Sequence, residues 1–141
     1  MSIFDNCMYF STNQLARHLN TIADEAFKDT DYTATQGFTM IAIGKLGKHT
    51  PSEISEELGM KPSTITRFLD KLVKLGYVER HYLGRNTEVN LTPKGCAEVD
   101  VVDANWKEIE RIIIETFSED VSSEATAIIN VANLKYKEKN N

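Results

Sequence analysis

Apolar residues recur at helical spacing along most of this chain and switch to strand-like alternation only once. From Asn13 to Lys28, Leu15, Leu19, Ile22, Ala23, Ala26 and Phe27 form one stripe, and Phe4, Cys7, Met8 and Phe10 extend the apolar run toward the N-terminus. Thr33 and Gln36 carry a capping-box signature, predicting a helix to Gly47 that buries Phe38, Ile41, Ala42 and Leu46. Thr50, Pro51 and Glu53 repeat the signature for a short helix through Ile54 and Leu58, which Gly59 ends. Pro62 then opens a helix whose apolar positions are Ile65, Phe68, Leu69, Leu72, Val73 and Leu75, and Gly76 stops it. The period changes to two from Tyr77 to Tyr82 and again from Glu88 to Leu91, around a turn at Leu83–Thr87 with Arg85 at its tip. Beyond it, Thr92 and Pro93 begin a long helix through Val99, Val102, Trp106, Ile109, Ile113 and Phe117. Ser122 or Ser123 caps a last helix with Ala125, Ile128, Ile129, Ala132 and Leu134, leaving 137–141 as a frayed tail.

Two short helices, a tight turn and a charged hairpin, in that order, are the parts of a winged helix-turn-helix. The fold expected is mainly α with a small β-hairpin wing, flanked by N- and C-terminal helices. The second helix of the pair presents Ser63, Thr64, Thr66, Arg67, Asp70, Lys71 and Lys74 opposite its apolar stripe. Short hydroxyls and an arginine suit base edges, and lysines suit phosphates. Arg85, followed by Asn86, sits on a narrow projecting loop, where a cation can enter the negative minor groove. Double-stranded DNA is therefore the expected partner. The competing reading is a winged-helix module for protein interaction, but such a module has no need of hydroxyls and arginines gathered on one basic surface.

The long helix after the hairpin is roughly 37 Å from end to end, more than a small reader needs. Val101, Val102, Ile112, Ile113 and Ile114 point in several directions around it, and a monomer would expose much of that surface. We therefore expect one domain over 1–141. Residues 33–95 form the winged helix-turn-helix, and the helices of 1–30 and 96–137 form a homodimer interface.

Composition adds constraints. With 41% hydrophobic and 26% charged residues, the chain falls among ordinary globular proteins. No apolar run approaches the roughly 20 residues of a membrane span, and no secretory signal is expected, so no membrane partner and a cytoplasmic location are anticipated. The net charge of −5 is unusual for a protein that binds nucleic acid. Its distribution resolves this: between Lys61 and Gly95, seven Lys and Arg meet three Asp and Glu, a local +4 against −9 elsewhere. DNA affinity follows the local patch.

Two separated cysteines without a C-x-x-C favour a reducing compartment. Cys7 is read as a small buried hydrophobe, with thiol-based redox sensing as its alternative role, and Cys96 as a packing residue. His18, His49 and His81 are scattered and offer no metal-ligand spacing, so no metal is expected; His81 is placed to touch phosphate beside the wing. The chain has no nucleophile elbow, phosphate loop or dinucleotide fingerprint. Acidic neighbours such as Glu56/Glu57 face different ways on their helix and read as solvated surface. Neither a cofactor nor an enzymatic activity is expected.

The run Ser63–Leu72, the closing Leu75-Gly76-Tyr77-Val78-Glu79-Arg80, the wing Gly84–Val89 and Leu91-Thr92-Pro93-Lys94-Gly95 together resemble the MarR/SlyA family of transcription regulators. The resemblance implies a homodimer built by the first and last two helices, acting as a ligand-responsive repressor on a near-palindromic operator. It makes Arg85 the wing arginine, although Leu83 stands where the family often has an Asp that would orient it. It also implies a cleft for a small aromatic or phenolic effector, with Arg17, His18, Phe38 and Trp106 as local candidates. The redox alternative through Cys7 corresponds to a peroxide-sensing branch of the family.

Overall fold

A computed structural model describes all 141 residues. Six helices and one hairpin follow in the order α1 (Met8–Ala26), α2 (Ala34–Gly44), α3 (Pro51–Leu58), α4 (Pro62–Lys74), β1 (Val78–Leu83), β2 (Asn86–Leu91), α5 (Pro93–Phe117) and α6 (Glu119–Asn140). The architecture is mainly α with a two-stranded wing. The chain forms two compact units, one of residues 23–106 and one of residues 1–22 with 107–141.

The central unit holds the main core. Met40, Ile54, Ile65, Leu69, Leu72, Val89 and Val102 are fully buried in it, contributed by α2, α3, α4, β2 and α5. Local signals set the helix starts. Thr33 Oγ1 accepts from the Gln36 N–H and the Gln36 side chain from the Thr33 N–H, and Thr50 and Glu53 repeat this at α3. Each box satisfies two N–H groups that a helix start leaves without partners. β1 and β2 pair antiparallel from Val78↔Leu91 to Leu83↔Asn86. Outside the hairpin, the Val89 N–H donates to the His49 carbonyl at 2.7 Å, tying β2 to the segment before α3.

Several boundaries differ from the sequence reading. α2 ends at Gly44 rather than Gly47, because the Lys45 and Lys48 N–H groups take the Ile41 and Ala42 carbonyls; Leu46 falls beyond the helix and is exposed. α1 begins at Met8. The turn between the strands is Gly84-Arg85 alone, so β2 starts at Asn86. Gly84, first of the two turn residues, has φ +64°, the positive value that a tight hairpin of matching twist needs at that place.

In the unit of residues 1–22 and 107–141, α6 is capped by Ser118, not by Ser122 or Ser123. Ser118 has φ 73°, which breaks the helix between α5 and α6, and its Oγ accepts from the Val121 N–H. Glu119 and Asp120 fall in the first turn and Lys137 and Lys139 in the last, both favourable to the helix dipole. α6 therefore runs to Asn140, through the expected tail. No residue of α6 is buried; Ile128, Val131, Leu134 and Tyr136 are all more than half exposed. Leu15, Leu19, Ile113, Phe117, Val121 and Ile129 line a small apolar cavity of about 140 Å³ in the same unit.

Candidate nucleic-acid interface

Burial along α4 follows its helical period. Ile65, Leu69 and Leu72 are buried, while Ser63, Thr66, Arg67, Asp70 and Lys74 are exposed on the opposite side and Thr64 is half-buried. Arg67 and Lys74 make no hydrogen bond or ion pair within the chain, so both remain available to a ligand. Thr66 is less free, because its hydroxyl donates to the Pro62 carbonyl at 3.0 Å and only its lone pairs remain open. Lys71 stands apart. It is half-buried on the flank of α4 and lines a shallow groove with Asp24, Asp31 and Tyr32.

Arg85 and Asn86 are exposed at the hairpin tip, and Arg85 has no internal partner. With Leu83 and Glu88 on the wing, and Pro51 and Ser52 at the start of α3, Arg85 lines an open groove of about 790 Å³. Glu53 at the same helix start is engaged elsewhere. The His49 N–H donates to its carboxylate at 2.9 Å, which lowers the Glu53 pKa below its ordinary value. His81 is exposed, with its Nε2 3.4 Å from the Glu79 carboxylate.

Two arrangements were missed by the sequence reading. Sequence alone assigns Arg80 a charge, a strand position and a place in a motif, but no partner. Its guanidinium donates to Asp70 Oδ1 at 2.6 Å and, at 3.4 Å, to the Thr66 carbonyl, and its side chain is only 18% exposed. The signal was present: Arg80 alternates with buried Val78, and a cation on the inner face of a strand needs a partner. The second arrangement surrounds the end of α4. Thr92 Oγ1 donates to the Gly76 carbonyl at 2.6 Å and accepts from the Gly95 N–H at 3.1 Å, and the Lys94 ammonium donates to the Leu75 carbonyl at 2.7 Å. A Cβ built on Gly95 would overlap the Tyr77 carbonyl oxygen, so this close approach requires glycine.

A polar and aromatic network backs this clasp. Tyr77 donates to Asp31 at 3.1 Å and Tyr32 to Glu98 at 2.5 Å, with the two rings edge to face at 5.5 Å. Burial, reinforced by the Asp31 hydrogen bond, pushes the Tyr77 hydroxyl up to about 12. Burial and the Glu98 carboxylate raise Tyr32 as well.

Of the four effector candidates, Phe38 and Trp106 are brought together, with ring centroids 5.3 Å apart. Arg17 and His18 belong to the other compact unit, where both are exposed. Cys7 and Cys96 are both free and exposed, which corrects the packing role expected for each. Cys7 lies just before α1, a helix without a buried residue, and Cys96 is on an outward turn of α5.

A helix-turn-helix followed by a projecting hairpin with an unpaired basic tip defines the central unit as a winged helix-turn-helix. Residues 32–82 match the model of the MarR family. MarR from Escherichia coli, solved as a mutant complexed with operator DNA, is 20% identical; the match takes in 94% of this chain and 99% of that one, with a TM-score of 0.79. The PcaV transcriptional regulator from Streptomyces coelicolor, solved with its natural ligand, is 13% identical over 94% of this chain and 96% of that one, with a TM-score of 0.83. The chain thus has the winged-helix fold of these structures, and its segment 32–82 resembles the MarR family. It is also 33% identical over 78 residues to a riboflavin kinase from Pyrococcus abyssi. That match covers 55% of this chain and only 35% of the kinase, so the chain spans about a third of that relative's length.

Proposed function

We propose that this protein is a sequence-specific, DNA-binding transcriptional regulator acting as a homodimer on a near-palindromic operator. The observation that carries the reading is the pattern of pairing on the basic face. Arg67 and Lys74 on α4 and Arg85 on the wing have no internal partners, whereas the one carboxylate of that helix face, Asp70, is tied to Arg80. Ser63, Thr64, Thr66 and Arg67 are assigned to base edges in the major groove, and Lys71 and Lys74 to phosphates. Arg85, with Asn86, is assigned to the minor groove or its phosphates. A protein of similar fold supports the reading in kind, since the Escherichia coli MarR mutant is complexed with operator DNA.

Within this reading, residues 33–95 are the reader and the helices of 1–30 and 96–137 make the dimer. The exposed apolar side chains of α6 support that division, because a lone chain would leave them in water. Repression relieved by a small aromatic or phenolic effector is the regulatory mode proposed, with Phe38 and Trp106 as an aromatic wall. No kinase activity is carried over from the partial match. Electrophoretic mobility of the duplex upstream of the protein's own gene tests the reading. A retarded band that survives excess random competitor supports it, and retardation abolished equally by any competitor contradicts it.

A further inference from the structure

Asp70 is the one acidic side chain on the outward stripe of α4, between Thr66 and Arg67 on one side and Lys74 on the other. A carboxylate there would face phosphates once the helix lies in a groove, unless it met a base amino group or was neutralised. The wing supplies the neutralising group. Arg80 reaches from β1 to Asp70 Oδ1 at 2.6 Å and to the Thr66 carbonyl at 3.4 Å, and its side chain is 18% exposed against 58% for Asp70. The cation is thus mostly enclosed while the anion it holds stands on the surface. Arg67, one turn before Asp70 at i−3, is left unpaired. Without Arg80, Asp70 would be free to draw Arg67 into an intrahelical ion pair and away from DNA.

We propose that Arg80 is a positioning residue that masks Asp70, keeping the face of α4 cationic and leaving Arg67 free, while it locks the base of the wing to the middle of the recognition helix. The inference rests on the DNA-reading proposal above. It assigns Arg80 no DNA contact of its own, because its guanidinium is turned onto Asp70 and the Thr66 carbonyl and its side chain is only 18% exposed.

The test uses the full-length chain and two duplexes, one recovered with it from a random-sequence pool and one random duplex of equal length. Binding is measured by fluorescence anisotropy across a salt series for wild type, Arg80→Met, Asp70→Asn and the double variant, with thermal melts of each. Arg80→Met should lose about tenfold or more in affinity for the recovered duplex, as expected when a buried or half-buried charge pair is opened beside a charged ligand. Asp70→Asn should bind as tightly as wild type or more tightly. The double variant should return to within about threefold of wild type, because there is no longer a carboxylate to mask. The slope of log affinity against log salt should be the same for the double variant and wild type, since no phosphate contact is lost.

An equal loss for Arg80→Met with and without Asp70→Asn overturns the proposal. A slope lowered by about one unit would then make Arg80 a phosphate contact, and a matching fall in melting temperature would make it a support of the fold alone. If Arg80→Met does not fold, Arg80→Lys serves instead. It keeps the charge and loses the second donor, and should stay within about threefold of wild type. A tenfold loss there that Asp70→Asn does not restore also overturns the proposal. Recovery of no preferred sequence by wild type overturns the DNA reading and the masking role together, an outcome distinct from failure of the rescue.

Discussion

Lys94, in the first turn of α5, places its ammonium on the carbonyl of Leu75, the residue that caps the C-terminus of α4, at 2.7 Å. A cation at a helix C-terminus is favourable both as a hydrogen-bond donor and through the helix dipole. The same ammonium lies 4.5 Å from the centre of the Tyr77 ring. With Thr92 on the Gly76 carbonyl, this fixes the start of α5 against the end of the recognition helix.

This clasp predicts two unequal losses. Lys94→Met should cost about 1–2 kcal/mol, from the lost charge-assisted bond and cation–π contact. Gly95→Ala should cost about 2–3 kcal/mol or more, because the new methyl group meets backbone that cannot move aside. Urea unfolding of the purified variants measures both. A Gly95→Ala midpoint equal to wild type would contradict the close approach.

Tyr77 gives a pH dependence. Its folded pKa is about 12 against an ordinary value of 10.0, so the folded state favours the neutral phenol. That contribution to stability is fully present below about pH 10 and is lost as pH rises toward about 12. Tyr77→Phe should cost about 1 kcal/mol near neutrality, through the lost bond to Asp31. Its stability should fall less steeply than that of wild type above pH 10. Chemical unfolding between about pH 8 and 11.5 checks this, and parallel profiles for the two proteins would show that Tyr77 does not titrate as described.

Arg67→Ala should weaken operator binding by about 1–3 kcal/mol and relax the preference at one base position. Binding to single-substituted operators measures the relaxation. Equal weakening on operator and random DNA would reduce Arg67 to a phosphate contact.

Arg85 lacks an acidic partner at Leu83 and has no other inside the protein, so DNA must order it on binding, at a cost of about 0.5–1.5 kcal/mol. Arg85→Ala should still weaken binding and lower the salt slope by about one unit. An unchanged affinity and slope in a salt titration would remove the wing from the interface.

Local chemistry made much of this fold legible. The capping boxes at Thr33 and Thr50, Pro62 and the turn glycines act within a few residues of themselves, and each element they announce is present. Burial of Ile65, Leu69 and Leu72 followed from period alone. What sequence could not supply were relations between distant positions. Arg80 meets Asp70 only after the chain turns at Gly76, and Lys94 meets Leu75 across the whole hairpin. Ser118 was passed over because its cap depends on a positive φ that nothing nearby announces. The exposure of Cys7 and Cys96 was misjudged because residue type is a weak guide to burial on helices with long bare faces.

The most direct test is equilibrium binding of wild type to a duplex selected from a random pool, set against a random duplex of equal length at one fixed salt concentration. The account predicts at least a thousandfold preference, about 4 kcal/mol, for a near-palindromic site. Its half-site centres should lie about 10 base pairs apart, and two chains should bind per duplex. Equal affinity for both duplexes, or a single chain bound to a site without symmetry, would contradict it.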